Sequence, residues 1–308
     1  MKISIVIPTY NRKKVLKRCL QLLFAQEFPS SEYEIILVDN GSTDGTDKIV
    51  ASLSSSCSFT YLVEPRRGPH IARNRGIKAA RGEIIVFVDS DILTPPGFLM
   101  EHLKFHEIYG DKVIVSGPAV RTSNLMDNFS DIEKRKRKKK FFDWSGPSLI
   151  TSNLSVRREH LLKVGGFDEE FEGMGWHDWD LGLRLIKSGL TPKRNLDAIV
   201  YHYKEKREST DLSELLKKRI ERGRNAVLYY KKHPSFRIKL GIRAHQLLTD
   251  RFFWWIDSST GERIVNWARK NREKFLLELL IQWKLDRAYV QGLREGMKKY
   301  GVKLWPLM

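Results

Sequence analysis

Within the first 90 residues, four short runs of β-branched and aliphatic residues each end in a polar cluster, and no other feature limits the fold so tightly. Lys2 to Pro8 and Glu34 to Val38 read as strands buried on both faces of a parallel sheet, with Phe59 to Val63 and Glu83 to Val88 as the third and fourth strands. Helical spacing fills the gaps. Arg12 to Gln26 brings Val15, Leu16, Leu20, Leu23 and Phe24 to one side. The turn-rich Asn40-Gly41-Ser42-Thr43-Asp44-Gly45 leads into a helix near Asp47 to Leu53, and Pro69 opens a helix to about Ala80. Alternation of this kind predicts an α/β sheet with right-handed crossovers, which binds ligands beyond the carboxyl ends of its strands. The polar clusters stand at those ends.

Asp111 to Val120 reads as a further strand. After it come Lys134-Arg135-Lys136-Arg137-Lys138-Lys139-Lys140, seven cations that repel one another and suit a mobile loop. Residues Pro147 to Val156, a short helix from Arg158, the Gly165-Gly166-Phe167-Asp168 turn, a helix from about His177 to Ser188 and a last strand from Ile199 to Tyr203 continue the domain. From Asp211 the pattern is helical nearly to the end. The boundary therefore falls near residue 205, giving an α/β domain over 1–205 and a basic helical extension over 206–308.

A length of 308 residues and a hydrophobic content of 41% suffice for a large core. The net charge of +18 implies an anionic partner, whether substrate phosphates, a membrane surface or nucleic acid. From Lys204 onward there are 25 Lys and Arg against 12 Asp and Glu, so the excess is concentrated in the extension. Two cysteines, Cys19 and Cys57, exclude a disulfide framework; Cys19, beside Leu16, Leu20 and Leu23, reads as a small buried thiol. The run Ile3 to Ile7 stops at Pro8, too soon for a signal peptide, and nothing approaches a membrane span of about 18 apolar residues. The expected compartment is cytoplasmic, on the inner face of the membrane if the basic helices bind lipid.

Four clusters occur in order: Ser4-Ile5-Val6-Ile7-Pro8-Thr9-Tyr10-Asn11-Arg12, Val38-Asp39-Asn40-Gly41-Ser42-Thr43-Asp44-Gly45-Thr46, Ala72-Arg73-Asn74-Arg75-Gly76 and Asp89-Ser90-Asp91. The set resembles family-two glycosyltransferases of the GT-A fold, over roughly residues 1 to 205. That resemblance implies a nucleotide-diphospho-sugar transferase fold with a mostly parallel central sheet. It also implies transfer of a sugar, with inversion, from a nucleotide diphosphate donor, a UDP-sugar for preference, to an acceptor hydroxyl. A nucleotide diphosphate leaves as an anion, and a divalent cation, Mn2+ or Mg2+, held by carboxylate oxygens neutralises that charge. By the resemblance Asp91 is the metal ligand and Asp89 faces the ribose beside Ser90. Asp39 reads the base, and Pro8, Thr9, Tyr10, Arg12 and Arg73 line the nucleotide pocket. His202, in Tyr201-His202-Tyr203, takes a place on the metal or the diphosphate. Asp44 is either part of this loop or a turn residue capping the next helix, and Asn74 is either a pocket residue or a buried amide tying two loops together.

The segment Gly173-Met174-Gly175-Trp176-His177-Asp178-Trp179-Asp180 resembles the acceptor-side motif of the same enzymes and of related galactosyltransferases. Asp178 matches their catalytic base: a carboxylate beside the attacking hydroxyl permits one in-line displacement with inversion. Asp180, about 200° further round the helix, is expected to cap or pair structurally. His177 stands where many relatives carry Glu, which bears on acceptor contacts. Trp176 offers either a flat face for a sugar or a core ring. Asn153 matches a polar position near the donor sugar.

Phe252-Phe253-Trp254-Trp255-Ile256 and Phe275 to Ile281 are apolar clusters amid Lys and Arg. They suit an anionic membrane surface, packing on the first domain, or a homodimer. The acceptor is a glycan, a lipid-linked group or a protein. A nucleotidyltransferase of similar fold is a rival reading, but Pro8-Thr9-Tyr10-Asn11-Arg12 lacks the glycines of a phosphate loop. A nonenzymatic nucleic-acid or membrane-binding protein is another; it accounts for the charge but not for acids at successive strand ends.

Overall fold

The computed structural model describes residues 1–125, 149–204, 212–250, 255–256, 258–271 and 273–304. The Lys134 to Lys140 run and the aromatics at 252–254 lie outside them. The chain divides into two compact units. One holds residues 1–125, 149–169 and 177–204 of the described chain; the other holds 170–176 and the described residues from 212 onward. Residues 170–176, expected within the α/β domain, pack with the helices.

In the first unit β1 (Ile3–Thr9), α1 (Lys13–Phe24), β2 (Tyr33–Asp39), α2 (Thr46–Ala51), β3 (Ser58–Val63), α3 (Pro69–Ala79) and β4 (Ile84–Val88) alternate along the chain. β3, β2, β1 and β4 lie side by side, all parallel. Both faces are covered, which is why the strands carry so little polar alternation. Ile3, Ile5 and Ile7 pack with Leu16, Cys19, Leu20 and Leu23 of α1. Val6, Ile36 and Val38 point the other way, onto Ala72 and Ile77 of α3.

After β4 come β5 (Ile92–Leu93), α4 (Phe98–Tyr109), β6 (Val113–Ser116), β7 (Ala119–Thr122), β8 (Asn153–Arg157), α5 (Arg158–Lys163), α6 (His177–Lys187), β9 (Thr191–Arg194) and β10 (Val200–Tyr203). The single strand expected over 111–120 is two. It breaks at Gly117-Pro118, where the backbone of Ala198 comes so close that no side chain fits at position 117. β6 joins the large sheet, of order β3-β2-β1-β4-β8-β6-β9, and β7 joins a small one, β5-β10-β7. β8 runs antiparallel between β4 and β6, so the sheet is mixed beyond its parallel half.

The second unit contains α7 (Leu212–Lys232), α8 (Phe236–Gly241), α9 (Gln246–Thr249), α10 (Ser259–Lys270) and α11 (Lys274–Tyr300). α7 and α11 cross at Gly223 and Gly292, where a Cβ on Gly223 would stand 2.9 Å from Gly292 Cα and closer still to the Tyr289 carbonyl oxygen. Ile256, Val265, Ala268 and Leu280 form a separate core with Trp255, Leu276, Leu277 and Trp283 around it. Residues 170–176 are held by α7. Asn225 Nδ2 donates to the carbonyls of Glu172 (2.8 Å) and Met174 (3.2 Å), and Trp176 Nε1 donates to the Arg222 carbonyl (3.0 Å).

Candidate active site

Asp91 stands between β4 and β5, and its surroundings follow from strand pairing. β10 runs antiparallel to β5 with His202 opposite Ile92, which carries the imidazole to the carboxylate. His202 Nε2 lies 3.1 Å from Asp91 Oδ1. Lys204, two residues on and therefore on the same side of the extended chain, puts Nζ 3.2 Å from Oδ2. Arg12, from the loop after β1, comes within 3.9 Å of the same oxygen. Burial pushes the Asp91 carboxyl up, but the His202 hydrogen bond and the charges of His202, Lys204 and Arg12 outweigh it and hold the group down at about 2. It is ionised throughout the neutral range. A carboxylate beside an imidazole nitrogen fits a divalent cation as two ligands. Among the described residues no group of three or more His, Cys, Asp or Glu side chains is placed to hold a metal ion.

Asp39, at the carboxyl end of β2, is buried and braced on both oxygens: the Ser42 amide donates to Oδ1 (2.8 Å) and the Tyr61 hydroxyl to Oδ2 (2.7 Å). Burial and that hydrogen bond push the Tyr61 hydroxyl up, which keeps it a donor. Thr9, next in register to Asp39 at the end of β1, has a buried hydroxyl with no hydrogen-bond partner among the described residues. Tyr10 is exposed under the Arg67 guanidinium (5.4 Å), Pro8 is buried in β1, and Ser90 is buried between the two aspartates. Arg73, in α3, donates to Asp89 Oδ1 at 2.6 Å. Its Nε and the other terminal nitrogen are buried and make no hydrogen bond among the described residues. A buried cation with spare donors and a buried hydroxyl with none to meet are what a bound polar anion would satisfy.

Arg73 also links this pocket to the second half of the site, 3.8 Å from Asp178 Oδ1. Asp178 lies in the first turn of α6, where the helix dipole favours a carboxylate. Thr151 Oγ1 donates to the same oxygen at 3.0 Å, and His177 Nε2 lies 3.3 Å from it. All three approach Oδ1, and Oδ2 has no hydrogen-bond partner among the described residues. His177 in turn packs against His70, with ring centroids 5.1 Å apart and planes tilted by 31°. Burial, with the charges of His177 and Arg73, lowers His70 to about 4.

Comparison with known proteins decides the family. The profile described as "Glycosyl transferase family 2" matches residues 4–165, just over half of the chain. The chain belongs to that family. A second profile, described as "N-terminal domain of galactosyltransferase", matches 134–207 and so spans the Asp178 segment. An uncharacterized glycosyltransferase of Bacillus subtilis is 30% identical over 66% of this chain and 64% of its own length. Validoxylamine A glucosyltransferase of Streptomyces hygroscopicus is 26% identical over 90% of this chain and 66% of its own. The chain thus spans about two thirds of these relatives. Among solved structures, the mannosyltransferase PcManGT of Pyrobaculum calidifontis, described in complex with GDP-Man and Mn2+, aligns with a TM-score of 0.61 and 21% identity. That match covers 98% of this chain and 88% of the other. S. aureus TarS in complex with UDP-GlcNAc aligns at 0.57 and 18%, over 98% and 92%. The shared fold is GT-A.

Two residues expected to contact sugar have their side chains engaged within the fold. Asn153 is buried: Oδ1 meets His102 Nε2 at 2.9 Å, and Nδ2 donates to the carbonyls of Ala198 (2.8 Å) and Pro118 (3.3 Å). Its side chain ties β8 to α4 and to the loop before β10. Trp176 is 7% exposed and stacks on Tyr229 at 5.3 Å with Arg222 over its ring, so the indole is core of the helical unit and not a free stacking face. Asp44, in the turn before α2, accepts from the Thr46 amide and hydroxyl and from the Lys13 amide at 3.0 Å. Asn74 ties α3 to the Gly166-Phe167 turn, donating to the Phe167 carbonyl (2.8 Å) and accepting from its amide (2.7 Å). Asp180 pairs with Arg184. Sequence reasoning passed over Tyr61, Lys204 and Thr151. For Lys204 the signal was present, since period two places it beside His202; Thr151 and Tyr61 depend on strand and loop positions that only the fold supplies.

Proposed function

We propose that this chain transfers a sugar from a nucleotide diphosphate donor, a UDP-sugar for preference, to an acceptor hydroxyl by in-line displacement with inversion. The observation that carries the reading is the pairing of two sites through Arg73: a cation-rich carboxylate at Asp91 and a carboxylate with one open oxygen at Asp178. Asp39 would accept from the N–H of a uracil or guanine ring, with Tyr61 and the Ser42 amide fixing its orientation. Arg73 holds Asp89 toward the ribose, and Lys204 and Arg12 stand where diphosphate oxygens would gather. Asp91 and His202 would hold a divalent cation, Mn2+ or Mg2+, whose chemistry is to neutralise the charge that develops on the leaving diphosphate. Asp178 accepts the proton of the acceptor hydroxyl on Oδ2 while Thr151 and His177 keep its plane fixed. The Mn2+ named for PcManGT supports the cation; the UDP-GlcNAc of TarS supports the uridine donor and the GDP-Man of PcManGT a guanosine one.

The test is calorimetric titration of UDP, GDP and dTDP into wild type and Asp91→Ala, with Mn2+ and then with EDTA. Metal-dependent binding of UDP that disappears in the variant is expected. GDP binding in place of UDP would retain the site and change the donor; no nucleotide binding in the presence of metal would sink the donor-site assignment.

A further inference from the structure

We infer that the turn joining α10 and α11 is a docking tip for an anionic phospholipid surface. Trp267, in the last turn of α10, is 55% exposed, and Phe275, in the first turn of α11, is 80% exposed. The Asn271 amide bonds the Trp267 carbonyl and the Glu273 amide bonds that of Ala268, so the turn is tight and both rings stand at one end of the hairpin. The inward faces are already filled. Val265 and Ala268 of α10 and Leu280 of α11 pack with Ile256, flanked by Trp255 and Trp283 in edge-to-face contact at 6.0 Å. Single exposed apolar residues are ordinary on a protein surface, but these two are the largest kind and share their end of the hairpin with the exposed Arg269 and Lys270. From Arg263 to Phe275 the sequence carries Arg263, Arg269, Lys270, Arg272 and Lys274 against Glu273 alone. Arg263, Trp267 and Lys270, spaced by four and three, follow one exposed stripe of α10.

That chemistry selects the occupant. A protein groove would take the rings but leave the cations solvated, and a nucleic acid would take the cations but leave Phe275 in water. Lipid headgroups and the acyl boundary beneath them answer both, with indole and phenyl at interface depth and Lys and Arg at the phosphates. The contact is peripheral, since among the described residues no helix is long and apolar enough to cross a membrane. The inference does not depend on sugar transfer, and its test uses no donor.

The test is co-sedimentation of the full chain with vesicles of phosphatidylcholine and phosphatidylglycerol, against phosphatidylcholine alone. Binding to the mixed vesicles is expected, weakened by salt near 1 M, where the screening length is about 3 Å. Trp267→Ser with Phe275→Ser should bind at least about tenfold more weakly, as should Arg269→Glu with Lys270→Glu. Both pairs remove only exposed side chains, so unchanged melting shows that the fold is intact. Phe236→Ser, an equally exposed ring on α8, should bind as wild type does. The inference is overturned if wild type ignores the anionic vesicles, if the tip variants bind unchanged, or if Phe236→Ser loses as much as they do. Sizing by light scattering adds one more decisive result: a dimer that the Trp267/Phe275 pair abolishes would mean the tip is covered by a second copy.

Discussion

Replacing Gly223 or Gly292 by alanine tests whether the helical unit depends on backbone contact at the crossing of α7 and α11. In a helix whose surface is open, Gly→Ala stabilises by about 0.5–1 kcal/mol, because the unfolded chain loses freedom that glycine alone possesses. Here the added methyl has nowhere to go. From Gly223 it would stand 2.9 Å from Gly292 Cα, and from Gly292 3.0 Å from Gly223 Cα, with the carbonyl oxygens of Tyr289 and Ile220 respectively closer still. Carbon pairs rest at about 3.5–4.0 Å, so the two backbones would have to separate by roughly 0.5–1 Å. Neither obstacle is the tip of a flexible side chain. Separation would loosen Val227, Tyr289, Val290 and Leu293, all buried in the helical unit. Overpacking of this type costs about 1–3 kcal/mol, more where the obstacle is backbone, and outweighs the helix-propensity gain. We expect a net loss of about 2 kcal/mol for either variant, which for a unit of about 100 residues lowers its melting midpoint by roughly 8–16 °C. Gly296→Ala serves as the graded comparison, since its methyl would meet Val227 and the Arg224 carbonyl at 3.0 Å, a contact that a small shift relieves. The assay is urea denaturation followed by circular dichroism at 222 nm. A Gly292→Ala protein more stable than wild type would refute the argument, because only the propensity gain would then be operating.

Asp178→Asn should leave nucleotide affinity within about twofold and lower kcat by about 100- to 10,000-fold, the usual worth of a positioned general base. The two are separated by measuring nucleotide release at saturating donor and acceptor beside a binding titration, and an unchanged kcat would place the base elsewhere. Acidification should destabilise the sheet unit well before its carboxylates titrate. Burial lowers His70 and His102 to about 4 and His106 to about 3, so in the native state all three stay neutral while the unfolded chain takes up protons from about pH 6.5 downward. The histidine contribution is therefore complete above pH 6.5 and is lost between there and about pH 4 for His70 and His102 and about pH 3 for His106, at roughly 1 kcal/mol per pH unit for each group. Urea midpoints at stepped pH would show this slope; a flat profile between pH 7 and 5 would contradict it.

The parallel half of the sheet was legible because buried strands leave a local trace: Ile3 to Ile7 and Ile35 to Val38 have no exposed face to advertise. The carboxylates at the strand ends were legible for the same reason, since the end of such a run fixes where they stand. The antiparallel half was harder to read. β9, Thr191–Arg194, is a largely exposed edge strand whose residues carry no hydrophobic pattern, and the split of 111–120 is imposed by Ala198, some 80 positions away. Asn153 and Trp176 show the limit at the level of single side chains. A polar residue in a strand and an aromatic residue before a helix look alike whether they face a ligand or a neighbour. For Asn153 the difference lies in His102 and Ala198; for Trp176, in Tyr229.

The loop at 170–176 changes what counts as a module in this chain. The polypeptide leaves the sheet unit after Glu169, spends seven residues among the helices, and re-enters at His177, immediately before Asp178. Its carbonyls are held by Asn225 and its indole by Arg222 and Tyr229. A graft that exchanges helical tails between relatives at residue 205 would therefore cut one piece of architecture in two, leaving the loop with its old sequence and new neighbours. The natural unit of exchange is the tail together with residues 170–176.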